Sequence, residues 1–258
     1  KGMPPSFSEG VRFTLGNTEL PGHIDRLRSV DRVDLVVVLS QLGFAQDARL
    51  AAEMAQRVAE TVAPHRDFLD QVVGRVHSPL DRATSLEASM DNVLLDAIAA
   101  AAGTRLAFSS GWCYGAPILP GDVTMEHLWN IVPTHPPIST VELSGDELRA
   151  MLEANLERTY SPDPYRQMGG FVKRCRGLNM YFKMENPKGH RIEDLLVDGV
   201  PVQPGRIYRA AMLGEQGVPM KYGSNRQKIE VDAIQSLQQL FARGTQVRGS
   251  RRGSVVAV

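Results

Sequence analysis

Residues 107–129 read AFSSGWCYGAPILPGDVTMEHLW and indicate a strand end, a loop and the start of a helix. Apolar residues 106–108 are typical of a buried strand. The loop 109–115 contains two glycines, which allow a sharp turn or a close approach of the backbone to a ligand. The segment 120–122 predicts a turn, and Thr124 is expected to cap the helix that follows.

Three large or reactive side chains stand in a row at the tip of this loop: Trp112, Cys113 and Tyr114. Loops on a rigid scaffold are where binding side chains concentrate, and such a trio suits a pocket wall. The alternative is that the aromatic rings only cover the core, and it stays open. A nucleophilic role for Cys113 has little support, because no His or acidic residue lies at a recognisable motif spacing.

A second candidate segment runs from residue 161 to 177 and begins SPDPYRQMGGF. Phe171 follows two glycines, so its ring would offer a flat face with open approach, which suits stacking on a planar ligand. Packing of Phe171 into the core is an equal alternative. The polar and aromatic side chains before it, Asp163, Tyr165 and Gln167, are candidate ligand contacts together with Gly170.

Both segments resemble the C-terminal domain of the 5'-nucleotidase family. There an apolar strand precedes Asn-Gly-Gly-Gly-Ile-Arg, a Pro/Gly-Asp turn, a Thr and a helix. The likeness is closer to the SoxB-type thiosulfohydrolases. Their Phe-Ser-Pro-Gly-Val-Arg-Trp-Gly loop and following Leu-Pro-Gly-Asp align without a gap with residues 108–122. Their Asn-Pro-Asp-Pro-Tyr-Tyr-Gln-Gln-Gly-Gly is similar to residues 161–170. The resemblance covers residues 82–245 well and 10–50 more weakly.

This resemblance implies a mixed α/β (α+β) fold in two parts. Residues 1–73 are interpreted as the remnant of a calcineurin-like metallophosphatase sandwich with a linker helix. The family's metal motifs are missing from it, which suggests a missing segment near 53–56. Residues 74–258 are interpreted as the 5'-nucleotidase-type substrate domain.

The family's dimetal centre is in doubt for this chain. The apolar run 33–39 predicts a buried strand. In the family a similar strand ends in Ser/Thr-His-Leu/Met-Gly, and the His binds metal. Gln41 occupies that position here, and its amide is a poor ligand for a transition metal. The resemblance implies two divalent ions, Mn or Zn, in the complete family protein; the alternative for this chain is that it binds none. No catalytic residue is identified.

The resemblance implies part of a metal-dependent hydrolase acting on a nucleotide-like phosphate ester or a thiosulfonate. This chain would supply the substrate pocket, lined by Trp112, Cys113, Tyr114, Asp163, Tyr165, Gln167, Gly170 and Phe171. The family's anion-binding Arg falls at Cys113 or Gly115 and is absent. Three nearby basic residues are interpreted chiefly as solvated surface charges: Arg166, Lys173 and Arg174. The alternative function is a binding module, or a degenerate homologue, without a dimetal site.

Composition limits the partners. The 258 residues are 43% hydrophobic and 22% charged, with 29 Lys and Arg against 29 Asp and Glu, so no net field favours a nucleic acid polymer. No apolar run approaches about 18 residues, so no membrane span is predicted. Two cysteines give no disulfide framework, and free thiols are the simpler interpretation. The resemblance implies a small-molecule ester or carrier-bound sulfur substrate and a periplasmic or secreted location, although no signal peptide is visible.

Periodicity predicts the remaining elements. Helices are expected over residues 47–62 and 66–73, from Ser85 onward, after the cap Ser144, and over 231–242. Strands are expected over 138–143, 178–184, 192–197 and 207–212, with Asp198-Gly199 as a hairpin turn. Residues 245–258 predict either a last strand or a loose tail.

Overall fold

The computed structural model describes residues 19–33, 58–111, 115–167, 171–243, 247, 249 and 252–258. The chain divides into two compact units, Lys1–Arg66 and Asp67–Val258. In the first unit, helix α1 spans Glu19–Ser29 and buries none of its residues. A second helical segment covers 58–62. Gln41, the expected strand 33–39 beyond its first residue, and the suspected junction near 53–56 lie outside the described residues.

From Arg66 onward, short helices alternate with strands. In chain order they are α2 (Arg66–Leu69), β1 (Val72–Val76), α3 (Ser89–Ala102), β2 (Leu106–Ser109), β3 (Gly121–Thr124), α4 (Met125–Ile131), β4 (Ile138–Ser144), α5 (Gly145–Tyr160), β5 (Arg174–Arg176), β6 (Leu178–Phe182), β7 (Ile192–Val197), β8 (Val200–Pro201), β9 (Ile207–Leu213), α6 (Gly214–Gly217), β10 (Ser224–Lys228), α7 (Ala233–Ala242) and β11 (Val255–Ala257).

The central sheet has five strands in the order β10-β4-β9-β2-β5. Strands β2 and β9 run parallel, whereas β4, β5 and β10 each pair antiparallel with their neighbours. A four-stranded sheet has the order β11-β6-β7-β8, and β1 and β3 form a two-stranded ribbon. Because β2 and β9 are parallel neighbours, the loops that follow them leave the sheet at the same edge, where open α/β sheets place ligands.

The central sheet separates two apolar layers. Strand β2 alternates between them: Ala107 packs with α3, α4 and α7, whereas Leu106 and Phe108 pack with α5 and the four-stranded sheet. This period of two is what a strand buried on both faces requires. Each fully buried Leu, Ile or Phe stabilises the fold by roughly 1.5–3 kcal/mol relative to exposure. The mixed α/β fold is therefore confirmed.

Most predicted elements of the second unit are present, with corrections at their ends. Ser144 caps α5 as expected, because its Oγ accepts the Glu147 N–H at 3.2 Å. Asp198 and Gly199 both adopt positive φ, as a tight hairpin turn requires. The predicted helix over 66–73 is wrong in its second half. It ends at Leu69, and residues 72–76 instead form β1 against β3.

Helix α3 also begins later than predicted, at Ser89 rather than Ser85. The Glu87 side chain is engaged elsewhere, because its carboxylate accepts backbone N–H groups from the chain near residue 253. The residues expected to open the helix therefore make tertiary contacts, and Ala88 stands at the cap position.

Candidate functional site

The loop after β2 lies against two arginine side chains. Gly111 has φ +71°, and a Cβ added there would lie 2.8 Å from Nε of Arg174. Gly115 has φ +120°, and its Cβ would lie 3.4 Å from the Asn130 carbonyl oxygen and 3.5 Å from Nη1 of Arg82. Gly111 therefore lies directly beside the Arg174 side chain, whereas Gly115 lies beside Asn130 with the Arg82 guanidinium nearby.

Both arginines share one carboxylate, that of Asp91 in the first turn of α3. Arg82 Nε donates to Asp91 Oδ1 at 2.9 Å, and Arg174 Nε donates to Asp91 Oδ2 at 2.9 Å. Asp91 is fully buried, and each arginine is only 2% exposed. Buried ions are tolerated when they are paired and their remaining donors are hydrogen-bonded. These three residues are called the arginine platform below.

The remaining donors of the platform bind backbone carbonyls. Arg174 donates through Nη1 to Ser85 O at 3.2 Å and through Nη2 to Thr84 O at 2.5 Å. Arg82 Nη2 donates to Ile131 O at 2.8 Å. Burial lowers the pKa of the Arg174 guanidinium, and the Asp91 carboxylate opposes that effect. The platform thus ties together the linker before α3, the end of α4, strand β5 and the loop.

Phe171 lies close to the same platform. Its ring centroid lies 5.1 Å from Cζ of Arg174, which is cation–π range. Its backbone is fixed because Phe171 O accepts from Thr159 Oγ1 at 3.3 Å. The ring is partly exposed. Gly111 of the first candidate segment and Phe171 of the second therefore both lie beside Arg174.

Lys173 is a site residue that sequence reasoning placed wrongly. It is 5% exposed, and Nζ donates to Gln216 O and Gly217 O, both at 2.8 Å, at the end of α6. Burial lowers the pKa of Lys173 to about 8. Ser110 Oγ lies 3.4 Å from the Gln216 side chain, so the loops after β2 and β9 do meet at one edge.

The interpretation of the three basic residues as surface charges is therefore wrong for Lys173 and Arg174. It holds for Arg166, whose side chain is 67% exposed. Strand β5 carries Arg174 into the core because its partner Asp91 lies there, 83 residues away in sequence. No acidic residue lies next to Arg174 in the sequence. This absence is the only indication in the sequence that its partner is distant. Ser109 Oγ, also buried, has no hydrogen-bond partner among the described residues.

The segment 161–167 forms a tight turn. Asp163 Oδ1 accepts the Tyr165 N–H at 3.0 Å, and Asp163 Oδ2 lies 3.3 Å from Arg166 Nε. Gln167 Nε2 donates to Thr159 O at 3.0 Å. The Tyr165 ring is 96% exposed at the tip. Asp163 and Gln167 shape the turn, and Tyr165 faces solvent without touching the platform. Trp112, Cys113, Tyr114 and Gly170 lie outside the described residues.

The second cysteine, Cys175, has a buried and unreactive thiol. Cys175 lies on the opposite face of β5 from Arg174, and its Sγ donates to Lys173 O at 3.1 Å. Burial raises the pKa of the Cys175 thiol to about 12. Because the thiolate is the reactive form, this residue is not a nucleophile at neutral pH.

The described donor set does not fit a dimetal centre. Within residues 19–33, 58–111, 115–167, 171–243 and the described C-terminal positions, no group of three or more His, Cys, Asp or Glu side chains is placed to hold a metal ion. No catalytic step is therefore assigned to a metal here. In the same parts of the chain, no helix combines the length and apolar character needed to span a membrane.

A central sheet with a Gly-containing loop and an aromatic segment converging at one edge is typical of a ligand-binding α/β domain. The chain belongs to the family described as 5'-nucleotidase, C-terminal domain, which matches residues 72–214, more than half of its length. The resemblance to this family is thereby confirmed.

Curated relatives match at low identity and over a small part of their length. The trifunctional nucleotide phosphoesterase protein YfkN of Bacillus subtilis (strain 168) is 25% identical over 186 residues, covering 67% of this chain and 12% of YfkN. The endonuclease YhcR of the same strain is 23% identical over 181 residues, covering 68% of this chain and 14% of YhcR. This chain thus spans about an eighth of each relative.

Solved structures give the same fold. The sulfate thiohydrolase SoxB of Thermus thermophilus, in complex with glycerol, superposes with a TM-score of 0.71 at 25% identity, over 81% of this chain and 39% of SoxB. A 5'-nucleotidase precursor from Thermus thermophilus gives a TM-score of 0.67 at 21% identity, over 81% of this chain and 43% of that protein. The chain therefore spans about two fifths of these neighbours.

Proposed function

We propose that this chain supplies the substrate-binding part of a metal-dependent hydrolase acting on a phosphate ester or a thiosulfonate. The observation that carries the proposal is the meeting of Gly111 and Phe171 at Arg174. A Cβ added at Gly111 would lie 2.8 Å from Nε of Arg174, and the centroid of the Phe171 ring lies 5.1 Å from Cζ of the same residue. A ligand seated at this edge of the sheet would contact the loop and the ring together.

The charge of the site supports an anionic ligand. Three basic side chains, Arg82, Lys173 and Arg174, are buried near the loop, and Asp91 lies between the two arginines. Positive groups in a low-dielectric setting favour a phosphate or sulfonate nearby. The names of YfkN and of the 5'-nucleotidase precursor support a phosphate ester, and the name of SoxB supports a sulfur ester. Because the names of YfkN and of the 5'-nucleotidase precursor refer to nucleotides, we propose a small-molecule substrate rather than a carrier-bound one.

The domain boundary, the metals and the location are part of the same proposal. Residues 74–258 form the substrate domain and 1–73 the remnant of the metal domain, which the compact unit from Asp67 and the family match from 72 support. Two divalent ions, Mn or Zn, and a periplasmic or secreted location rest on the family likeness. The pocket residues are those predicted above, with Trp112 and Tyr114 on the loop.

A second candidate is a binding module or degenerate homologue that has kept the cleft and lost the chemistry. Gln41 favours it, because an amide stands where the family has a ligand His. The two candidate functions differ in whether the bound ligand is hydrolysed, and they share the same binding site. Both predict that an anionic ligand binds between the loop and Phe171.

The test measures turnover and binding on the same protein. With Mn²⁺ or Zn²⁺ present, phosphate release from AMP and sulfate release from S-sulfocysteine (which carries a sulfur–sulfonate bond) are followed, and the affinity for each is measured by calorimetry. Turnover supports the hydrolase, whereas binding without turnover supports the shared binding site and is expected of both candidates when this chain is tested alone. Neither binding nor turnover with either compound would refute both.

The site itself is tested by Phe171→Ala, which we expect to weaken binding of the active compound by about tenfold through loss of one aromatic face. Tyr114→Ala is expected to act in the same direction. Phe68→Ala removes an exposed ring outside the site and is the matched control. Unchanged affinity in both site variants, with unchanged thermal unfolding, would remove these residues from the site.

A further inference from the structure

The arginine platform lies next to Gly111 and close to Gly115, the described ends of the loop that is proposed to contact the ligand. Gly111 faces Arg174, Gly115 faces Arg82, and both guanidiniums are tied to Asp91. We propose that Arg82, Asp91 and Arg174 are positioning residues, which fix Gly111 and Gly115, the described ends of the loop, relative to Phe171 and so set the shape of the ligand site. The ligand part of this inference rests on the proposed function, whereas the position of the loop does not.

Arg174 can act in this way because its guanidinium is held rigidly. Its donors bind Asp91, Ser85 O and Thr84 O, so the plane of the group cannot turn without breaking hydrogen bonds. One side of the arginine meets Gly111, and its Cζ lies 5.1 Å from the centroid of the Phe171 ring. The distance between Gly111 and the Phe171 ring therefore depends on the position of the Arg174 guanidinium. A lysine offers a point charge on a flexible stem and would not reproduce this geometry.

Arg82 fixes the other end of the loop. Its Nη2 donates to Ile131 O at 2.8 Å, at the end of α4. Next to it, the Asn130 side chain binds both backbone groups of Ala116: Ala116 N donates to Oδ1 at 3.2 Å, and Nδ2 donates to Ala116 O at 2.9 Å. Ile118 N donates to Leu80 O at 3.0 Å, and Leu80 N donates back to Ile118 O at 2.9 Å. The chain leaving the loop is thus held at several points near Arg82.

A buried ion triad is poor evidence for stability by itself, because apolar residues of similar volume often stabilise as well. The chain provides its own comparison. On the same helix, Asp96 pairs with Arg176 at 2.7 Å and with Arg252, but these side chains are 29–35% exposed. Two Arg–Asp–Arg arrangements on α3 thus differ in burial.

The experiment compares Arg174→Met with Arg176→Met by hydrogen exchange and mass spectrometry on the full chain without ligand. The loop peptide 109–118 contains the hydrogen-bonded amides of Ala116 and Ile118, which report loop opening. Arg174→Met is expected to speed their exchange by about tenfold relative to β4, and Arg176→Met to leave the ratio unchanged. Arg174→Lys is expected to behave like Arg174→Met, because it keeps the charge and loses the fork.

Two results would overturn the proposal. One is an exchange increase spread evenly over the loop and β4, which would make the platform a general stabiliser. The other is no change in the loop. Should Arg174→Met fail to fold, Gly111→Ala replaces it, because its Cβ would press on Arg174 from the loop side. Gly121→Ala is the control, with positive φ and nothing within 4 Å of its Cβ.

The ligand consequence is measured separately with AMP and S-sulfocysteine as the probes. Displacement of the loop is expected to weaken binding of the active compound by roughly tenfold to a hundredfold in Arg174→Met and leave Arg176→Met at wild-type affinity. If the wild type binds neither compound, the proposed function fails, and the exchange result still decides whether the platform positions the loop. If the wild type binds one of the compounds and Arg174→Met binds it with the same affinity, the part of the proposal that concerns the ligand is wrong.

Discussion

Glu87 is expected to hold the C-terminal strand on the domain, and Glu87→Gln tests this. Its carboxylate accepts four N–H groups: Arg252 N at 2.6 Å and Asn92 Nδ2 at 2.7 Å on Oε1, and Gly253 N at 2.8 Å and Ser254 N at 3.2 Å on Oε2. Glu87 is 7% exposed, so water cannot easily replace these bonds. Strand β11 follows directly and pairs with β6 through Val255 and Met180.

The magnitude follows from the change in acceptors. Glutamine keeps one oxygen, so two of the four bonds are lost and an NH₂ group faces two N–H donors. Hydrogen bonds to a charged group contribute about 1.5–3 kcal/mol each, so we expect a loss of at least about 3 kcal/mol. At roughly 2–4 °C per kcal/mol for a domain of this size, thermal unfolding should fall by about 6–12 °C.

The assay combines thermal unfolding with hydrogen exchange of the peptide that contains β11. Exchange in β11 should rise more than in β4, because the strand loses its anchor. Asp96→Asn is the control: it also loses a contact to Arg252, but its carboxylate is 29% exposed and the change should cost about 1 kcal/mol or less. A fall in Tm under about 2 °C for Glu87→Gln, or β11 exchange equal to wild type, would refute the reasoning.

Two further predictions concern the buried groups of β5 and its flank. The pKa of Lys173 is lowered to about 8, so between pH 8 and about 10.4 the unfolded chain binds the proton that the folded chain has lost. Stability relative to Lys173→Met should therefore rise with pH across this window, by at most about 3 kcal/mol, in denaturant titrations. In a Cys113→Ser background, Cys175, with its pKa raised to about 12, should resist a thiol reagent at pH 8 and react on denaturation; labelling of the native protein would contradict its burial.

The sequence was sufficient to predict the elements whose signals are local. Strand β4, the Ser144 cap and the Asp198-Gly199 turn need only alternation, a capping residue and two residues that tolerate positive φ. Such signals depend on neighbours within about four residues. The structure accordingly confirms these elements within a residue or two of their predicted ends.

The errors have distant causes. Residues 70–73 look helical after α2, yet β3, about 50 residues later, supplies a strand partner for residues 72–76, and pairing overrides local propensity. Ser85 and Glu87 look like a helix start, yet Glu87 binds the backbone of residues 252–254, more than 160 positions away. No periodicity within a window of the sequence reports such contacts.

In the candidate site, too, the sequence predicts the local features but not the contacts between distant residues. The sequence pointed to the two segments, 109–115 and 161–177, because both combine glycines with aromatic rings. The sequence does not predict that Arg174 lies beside both segments. Arg174 and Arg176 occupy equivalent positions in the sequence Arg-Cys-Arg, and only the folded structure distinguishes their surroundings. Strand alternation turns both toward α3, where Asp91 meets the first and Asp96 the second.

The difference between these two arginines comes from how far the strand lies inside the domain. Arg174 is 2% exposed beneath the loop, and the Arg176 side chain, two residues on, is 33% exposed near the turn into β6. At the buried end, each donor needs a fixed acceptor, so the geometry is rigid and available to position a loop. At the exposed end, water competes for the same donors and the pair contributes little. An identical charge pattern thus becomes a positioning element at one end of a three-residue strand and a solvated ion pair at the other.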